Sequence, residues 1–197
     1  ARAFNRMGAD LAEHESNRAL MLAGLSHDLR TPLARLRLAV EMQVDDAHER
    51  EAMIQDMDDM DALTRQFTDF ARANTEAPTP IDVDAWCREL VAGFAQRGLE
   101  VRVHGTAGTA ALPANGLRRC LANLLENAQR YGKPPVELEL ARSAEAIRFT
   151  VIDHGPGLAD DELETAKRPF YRGNAARTGA HGTGLGLAIV ERFARQA

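Results

Sequence analysis

Ser26-His27-Asp28-Leu29-Arg30-Thr31-Pro32 is the stretch from which the fold of this chain reads. Leucines stand around it at Leu22, Leu25, Leu29, Leu33 and Leu36, with Val40 beyond. Steps of three and four residues place them on one face of a helix. His27 falls two positions from both Leu25 and Leu29, so the helix turns its imidazole away from that face. Pro32 has no N–H, so the carbonyl of Asp28 loses its helical partner and the helix is loosened there. A carboxylate beside an exposed imidazole suits nucleophilic work, because Asp28 can hold one ring nitrogen and leave the other open. A surface histidine on a coiled coil would carry the same pattern. Taken alone, the segment favours that surface reading, and the rest of the chain overturns it.

The chain has 197 residues, room for one large or two small domains. Its 45% hydrophobic and 27% charged content is ordinary for a folded protein, and few aromatics with many Ala and Leu favour helix. A net charge of −5, with basic residues alternating with acids, gives no case for nucleic-acid binding by bulk attraction. Cys87 and Cys120 lie in apolar helical patterns and read as small core residues of a reducing compartment, with a disulfide as the other reading the sequence leaves open. No apolar run approaches the ~20 residues that span a bilayer, and no signal peptide is read. Ala1 in place of methionine, and a helical pattern still running at Ala197, lead to the expectation of a longer parent protein.

The first third reads as helix from about Asp10 to Val44, then a tight connection at Asp45-Asp46-Ala47-His48. A second amphipathic helix follows, with Met53, Met57, Met60, Leu63, Phe67 and Phe70 as core filling. Two such helices cannot bury both stripes on each other, and dimerisation into a four-helix bundle solves this. Ala77-Pro78-Thr79-Pro80 marks a domain boundary and a hinge. Beyond it, Ile81 and Val83 suggest a short strand, and Asp84 can cap a helix to about Arg97. Strands are expected at Leu99–Val103, Val136–Leu140 and Ile147–Val151, the last two as a hairpin. Helices are expected from Pro113 to Tyr131, near Asp160–Ala166, and from about Leu185. This mixed order suggests an α/β sandwich with helices on one face of the sheet.

Four clusters in the second part carry chemistry. Asn123, Asn127 and Arg130 share the helix face opposite Leu117, Leu121, Leu124, Leu125 and Ala128. Amide oxygens there can ligate Mg²⁺ and the guanidinium can neutralise phosphate, although, taken alone, the segment reads better as a solvated polar face. Asp153-His154-Gly155-Pro156-Gly157 follows a strand; its carboxylate can accept from an exocyclic amine while the glycines let backbone approach a flat base. Arg168-Pro169-Phe170-Tyr171-Arg172-Gly173 is an aromatic-basic cluster. Gly182-Thr183-Gly184-Leu185-Gly186-Leu187 opens the last helix, where backbone amides can face phosphate. Its spacing is neither G-x-G-x-x-G nor a P-loop. Small polar residues from Asn174 to His181 suggest a lid that closes over a nucleotide.

In this order the motifs resemble the histidine kinases of two-component signalling: 26–32 the H box, 123–131 the N box, 153–157 the G1 box, 168–173 the F box and 182–187 the G2 box. Ala23–His27, Leu36–Ala39 and the Ala175-Ala176-Arg177-Thr178 lid are similar to the EnvZ type of osmosensor. Ala3–Met7 resembles the end of a HAMP signalling segment, which implies a bacterial inner-membrane sensor whose cytoplasmic portion this is.

The resemblance implies a HAMP-like end at 1–9 and a dimerising phosphotransfer hairpin at 10–76. A linker would follow at 77–82, then a Bergerat-type ATP-binding domain at 83–197. One or two strands usual after the last helix are missing. It implies His27 as phosphoacceptor, Asp28 as its activating carboxylate, and Thr31 as orienting water for phosphatase activity. Asn127 would hold Mg²⁺, with Asn123 and Arg130 beside the phosphates and Tyr131 at base and ribose. Asp153 would bind the adenine amine. Gly155, Gly157, Phe170, Arg172, Gly182, Thr183, Gly184, Leu185 and Gly186 would frame the nucleotide and lid. ATP and Mg²⁺ are the implied cofactors. A second copy of the chain and a response regulator of the OmpR kind are the implied partners, with no direct contact to nucleic acid. A non-catalytic ATP-binding module is disfavoured by the complete set His27, Asp28, Asn127 and Asp153. A gyrase- or chaperone-like ATPase is disfavoured by the H box on its own helical hairpin.

Overall fold

The computed structural model describes residues 29, 31–71, 76–171 and 183–196, and divides into two compact units, Ala1–Ala73 and Asn74–Ala197. In the first, residues 31–43 (α1) and Ala47–Ala71 (α2) are helices joined by residues 44–46. Asp46 caps α2, its carboxylate accepting from Glu49 N at 2.9 Å. Arg37 of α1 reaches across to Asp58 of α2 at 2.5 Å while also bonding Glu41 at 3.2 Å. Val40 and Met57 are buried. Leu36, Met42, Met53, Met60 and Leu63 stay 40–74% exposed, so the paired helices leave much of their apolar surface uncovered.

The second unit is built on two sheets. Thr79–Asp82 (β1) pairs antiparallel with Thr109–Leu112 (β3). The larger sheet runs in the order Val101–Gly105 (β2), Val136–Arg142 (β4), Ile147–Ile152 (β5), with β2 parallel and β5 antiparallel to β4. On β4, Val136, Leu138 and Leu140 are buried while Glu137 and Glu139 face away, the period-2 pattern of a one-sided core. Val83–Ala95 (α3) contributes Val83, Cys87, Leu90 and Phe94 to that core; Ala114–Tyr131 (α4) contributes Leu117, Leu121, Leu125 and Ala128. Asp160–Ala166 (α5) is short, and Gly186–Gln196 (α6) packs on α4 through buried Ala188 and Ile189.

Three expectations need correction. Residues 79–82 of the expected linker form β1, so the second unit begins ahead of Pro78 and Pro80. Val83 is the first residue of α3, not part of a strand, and the cap is Asp82, which accepts from Ala85 N at 3.0 Å. Asp84 instead accepts from Ala107 N (2.7 Å) and Gly108 N (3.1 Å), pinning the β2–β3 loop to α3. Strand β3, Thr-Ala-Ala-Leu, was not expected, because two alanines give no β signal.

Pro113 precedes α4 and offers no side-chain cap. Glu76 supplies one from 39 residues away: its carboxylate accepts from Asn115 N at 3.0 Å, Gly116 N at 3.1 Å and Asn115 Nδ2 at 2.9 Å. An anionic acceptor at a helix N-terminus is stabilising by about 1 kcal/mol.

Burial pushes the thiols of Cys87 and Cys120 up to about 11, from an ordinary 9.0. Below the ordinary value, both folded and unfolded chains keep the proton. Between the two values only the unfolded chain ionises, so stability falls as pH rises through that window. The urea midpoint of the second unit is therefore expected to drop from about pH 9 to 11, and to drop less in Cys87→Ala/Cys120→Ala. An equal drop in the double variant would show that the thiols are not responsible.

Candidate functional site

The site grows from α4. Asn123 lies between core residues Leu121 and Leu125 and is only 8% exposed, with its Nδ2 donating to the Arg119 carbonyl at 2.8 Å. Asn127, one turn on, is half-buried. A Cβ placed on Gly186 would stand 3.1 Å from Asn123 Oδ1 and 3.7 Å from both amide atoms of Asn127. Both amides therefore meet the first residue of α6, and glycine there permits the approach. Asn123, expected on a solvent face with Asn127 and Arg130, is buried because α6 packs over that flank of α4. Arg130 is exposed, and Tyr131 is 39% exposed at the helix end.

Asp153 follows β5 and turns back on itself, its Oδ1 accepting from Gly155 N at 2.7 Å. This turn rests on the end of α4. A Cβ on Gly155 would lie 2.7 Å from the Tyr131 carbonyl, and one on Gly132 would lie 2.8 Å from Asp153 Cβ and Cγ. The His154 amide donates to the Lys133 carbonyl at 3.1 Å, closing the junction. Gly132 was not singled out from the sequence. Its backbone is extended, so close approach alone requires glycine: a Cβ would meet the Ala128 carbonyl of its own helix at 2.5 Å as well as the Asp153 side chain. Gly157 differs: it has φ +70 and open space around it, so its demand is conformational.

The F and G2 segments are stitched together. Phe170, at φ 65, donates its N–H to the Gly184 carbonyl at 2.9 Å, and any Cβ on Gly184 would strike Tyr171 O. Gly184 also has φ +70, a second reason for glycine. The residues flanking 172–182 are thus joined at their base. Leu185 is fully buried, and its amide donates to Thr183 Oγ1 at 3.2 Å at the entry to α6.

His27, Asp28, Arg172 and Gly182 lie outside the described residues, as do segment 1–9 and the whole expected lid, Asn174–His181. Thr31 is exposed on a helical stretch of the first unit. In the second unit, the structure gathers Asn123, Asn127 and Gly186 at one junction and Tyr131, Gly132, Asp153 and Gly155 at another, both on α4. No helix among the described residues is long and apolar enough to cross a membrane. Gly132→Ala is expected to force the Asp153 turn off α4, raising exchange of the His154 amide at least about tenfold. Unchanged protection would show that the junction tolerates a methyl group.

Residues 17–76 match the model of the His Kinase A (phospho-acceptor) domain, and residues 113–197 that of the histidine kinase-, DNA gyrase B- and HSP90-like ATPase. Sensor protein RstB of Escherichia coli (strain K12) is 31% identical over 98% of this chain and 47% of RstB. The solved mycobacterial sensor histidine kinase MprB is 25% identical, with a TM-score of 0.51, over 60% of this chain and 79% of that one. The histidine kinase domain of the E. coli osmosensor EnvZ is 31% identical over 63% of this chain and 78% of that domain, at a TM-score of 0.44. The chain spans about half the length of the curated relatives it matches. With the phosphoacceptor and ATPase domains in this order, the chain belongs to the sensor histidine kinases of two-component signalling.

Proposed function

We propose that this chain binds ATP in its second unit and transfers the γ-phosphoryl group to His27 of the first. The observation that carries the reading is the convergence on α4: two asparagine amides at the α6 entry, and Asp153 seated against Tyr131 and Gly132. Asp153 accepts the exocyclic amine of adenine, with Tyr131 beside the base and ribose. Asn123, Asn127, Arg130 and the α6 entry stand beside the phosphates, and Gly182, Thr183, Gly184 and Leu185 with Phe170 and Arg172 frame the lid. An amide oxygen is a hard donor, so Asn127 fits as a ligand of Mg²⁺, which would neutralise phosphate charge when bound.

In the transfer, a ring nitrogen of His27 forms the N–P bond while the β–γ bridging O–P bond breaks and ADP leaves. Asp28 holds the proton on the other nitrogen and supports the cationic ring. The phosphoryl group then passes to an aspartate of a response regulator, of the OmpR kind. Thr31 is exposed four residues after His27, and its hydroxyl orients water for the reverse hydrolytic task. The uncovered faces of α1 and α2 support a homodimeric four-helix bundle. A HAMP-like segment at 1–9 would join this cytoplasmic portion to a membrane sensor.

Incubation of the full-length protein with γ-labelled ATP and Mg²⁺ is expected to give acid-labile, base-stable label that disappears in His27→Gln. Label retained in that variant would overturn the assignment. Asp153→Asn is expected to weaken nucleotide binding roughly 10- to 100-fold, as loss of a charge-assisted hydrogen bond implies; fluorescent-nucleotide titration reads it. Thr31→Ala is expected to keep autophosphorylation and to lose dephosphorylation of the phosphorylated regulator. Equal loss of both activities would argue for a folding defect instead.

A further inference from the structure

The loop between α3 and β2, the last turn of α4 and the approach to β4 form a cavity of about 330 Å³ in the second unit. That volume stands at the lower end of the ~300–1,000 Å³ range of small-molecule sites. The floor is apolar and buried: Leu99 is 9% exposed, Ala128 4% and Val136 2%. The rim is polar, with Glu100, Gln129 and Lys133 all exposed. Among the described residues neither Glu100 nor Lys133 is in an ion pair, with each other or with a third group. Gln129 donates its Nε2 to the Arg97 carbonyl at 3.1 Å, which leaves its Oε1 as an acceptor. None of Asn123, Asn127 and Asp153 lines the cavity, so it is separate from the two junctions described above.

We propose that this cavity binds a small zwitterion with an aliphatic body, of the size of a free amino acid. Its carboxylate meets Lys133, its ammonium meets Glu100 and Gln129 Oε1, and its side chain lies over Leu99, Ala128 and Val136. Unpaired charges of both signs beside one apolar floor select for a ligand carrying both. A plain anion would meet Glu100, a plain cation would meet Lys133, and a hydrocarbon would leave both charges unanswered. The last turn of α4 is the negative pole of that helix and favours the ammonium on the Gln129 side. Both rim charges are in water, so each adds little and the apolar contact supplies the rest. One wall of the cavity is shared. Gly132 lines it, and a Cβ on that residue would lie 2.8 Å from Asp153 Cβ; the Lys133 carbonyl accepts from His154 N at 3.1 Å. A ligand held by Lys133 orders this wall and slows exchange of the His154 amide. The site stands whether or not the second unit takes ATP.

The probe is L-leucine, titrated into the full chain and followed by the amide resonances of Gly98, Leu99, Gly132 and Lys133. Saturable shifts are expected, with a Kd on the order of 1 mM for a ligand of this size. Three relatives of the probe each lack one part: glycine the apolar body, 4-methylpentanoate the ammonium and 3-methylbutylamine the carboxylate. Each is expected to bind at least about threefold more weakly than leucine. Lys133→Met is expected to erase the preference for leucine over 3-methylbutylamine, and Glu100→Gln to shrink that over 4-methylpentanoate. Shifts still linear at roughly twenty times the expected Kd would overturn the proposal. So would glycine binding as well as leucine, preferences that survive both substitutions, or His154 exchange unchanged at saturating leucine. Both substituted residues are exposed, and the wild-type ligand series decides the matter without either variant.

Discussion

Burial of one stripe of α4 is the constraint on which the second unit depends. Leu117, Leu121, Leu125 and Ala128 face the core and leave the helix no freedom to rotate. At 3.6 residues per turn, that orientation determines where every other side chain of the helix points. Asn123 and Asn127 then fall on the flank that α6 covers, and Tyr131 falls at the end where the β5 turn arrives. A cavity in the stripe, for instance from truncating Leu125, would therefore loosen both junctions at once, although neither is made of core residues. The core and the site are one object here.

Close approach does the remaining positioning. Gly186 lets α6 come within van der Waals range of the asparagine amides, while Gly132 and Gly155 let the Asp153 turn sit on the helix end. None of these three has the positive φ that would demand glycine for conformational reasons; each is glycine because a neighbour occupies the space a methyl group would need. Gly157 and Gly184 are different, being held at φ +70. The glycine-rich look of the G1 and G2 segments thus mixes two physical demands that the sequence alone does not separate.

Periodic features were legible in the sequence and tertiary ones were not. The stripe of α4 and the β4–β5 hairpin follow from spacing, because apolar period reports burial there, whereas the equally periodic α2 leaves Met53, Met60 and Leu63 exposed. Thr109–Leu112 escaped notice: a strand of alanines exists only because β1 is there to pair with it. Asp84 reads from the sequence as the cap of α3, but the β2–β3 loop claims it through the Ala107 and Gly108 amides, and Asp82 caps the helix instead. The burial of Asn123 depends on α6, more than 60 residues later in the chain, and no local pattern could announce it. The site residues were nameable as types and as a family likeness; their partners required the fold.

Helix termini explain how the two ends of α4 are used differently. Its N-terminus, positive by the helix dipole, is occupied by the carboxylate of Glu76 and is closed to an outside anion. Its C-terminus is closed by Gly132 N–H on the Ala128 carbonyl and receives the Asp153 turn through His154 N–H on the Lys133 carbonyl. Any anion drawn to this unit by a helix dipole would then have to use another terminus, and the entry to α6 is the one beside Asn123 and Asn127. Glycine at position 186 keeps that entry short of side-chain bulk, so backbone amides and the two side-chain amides can address the same group. The division is physical: one dipole is spent internally on attachment, while the other lies against the only pair of amides on the covered flank of α4 that the described contacts bring together.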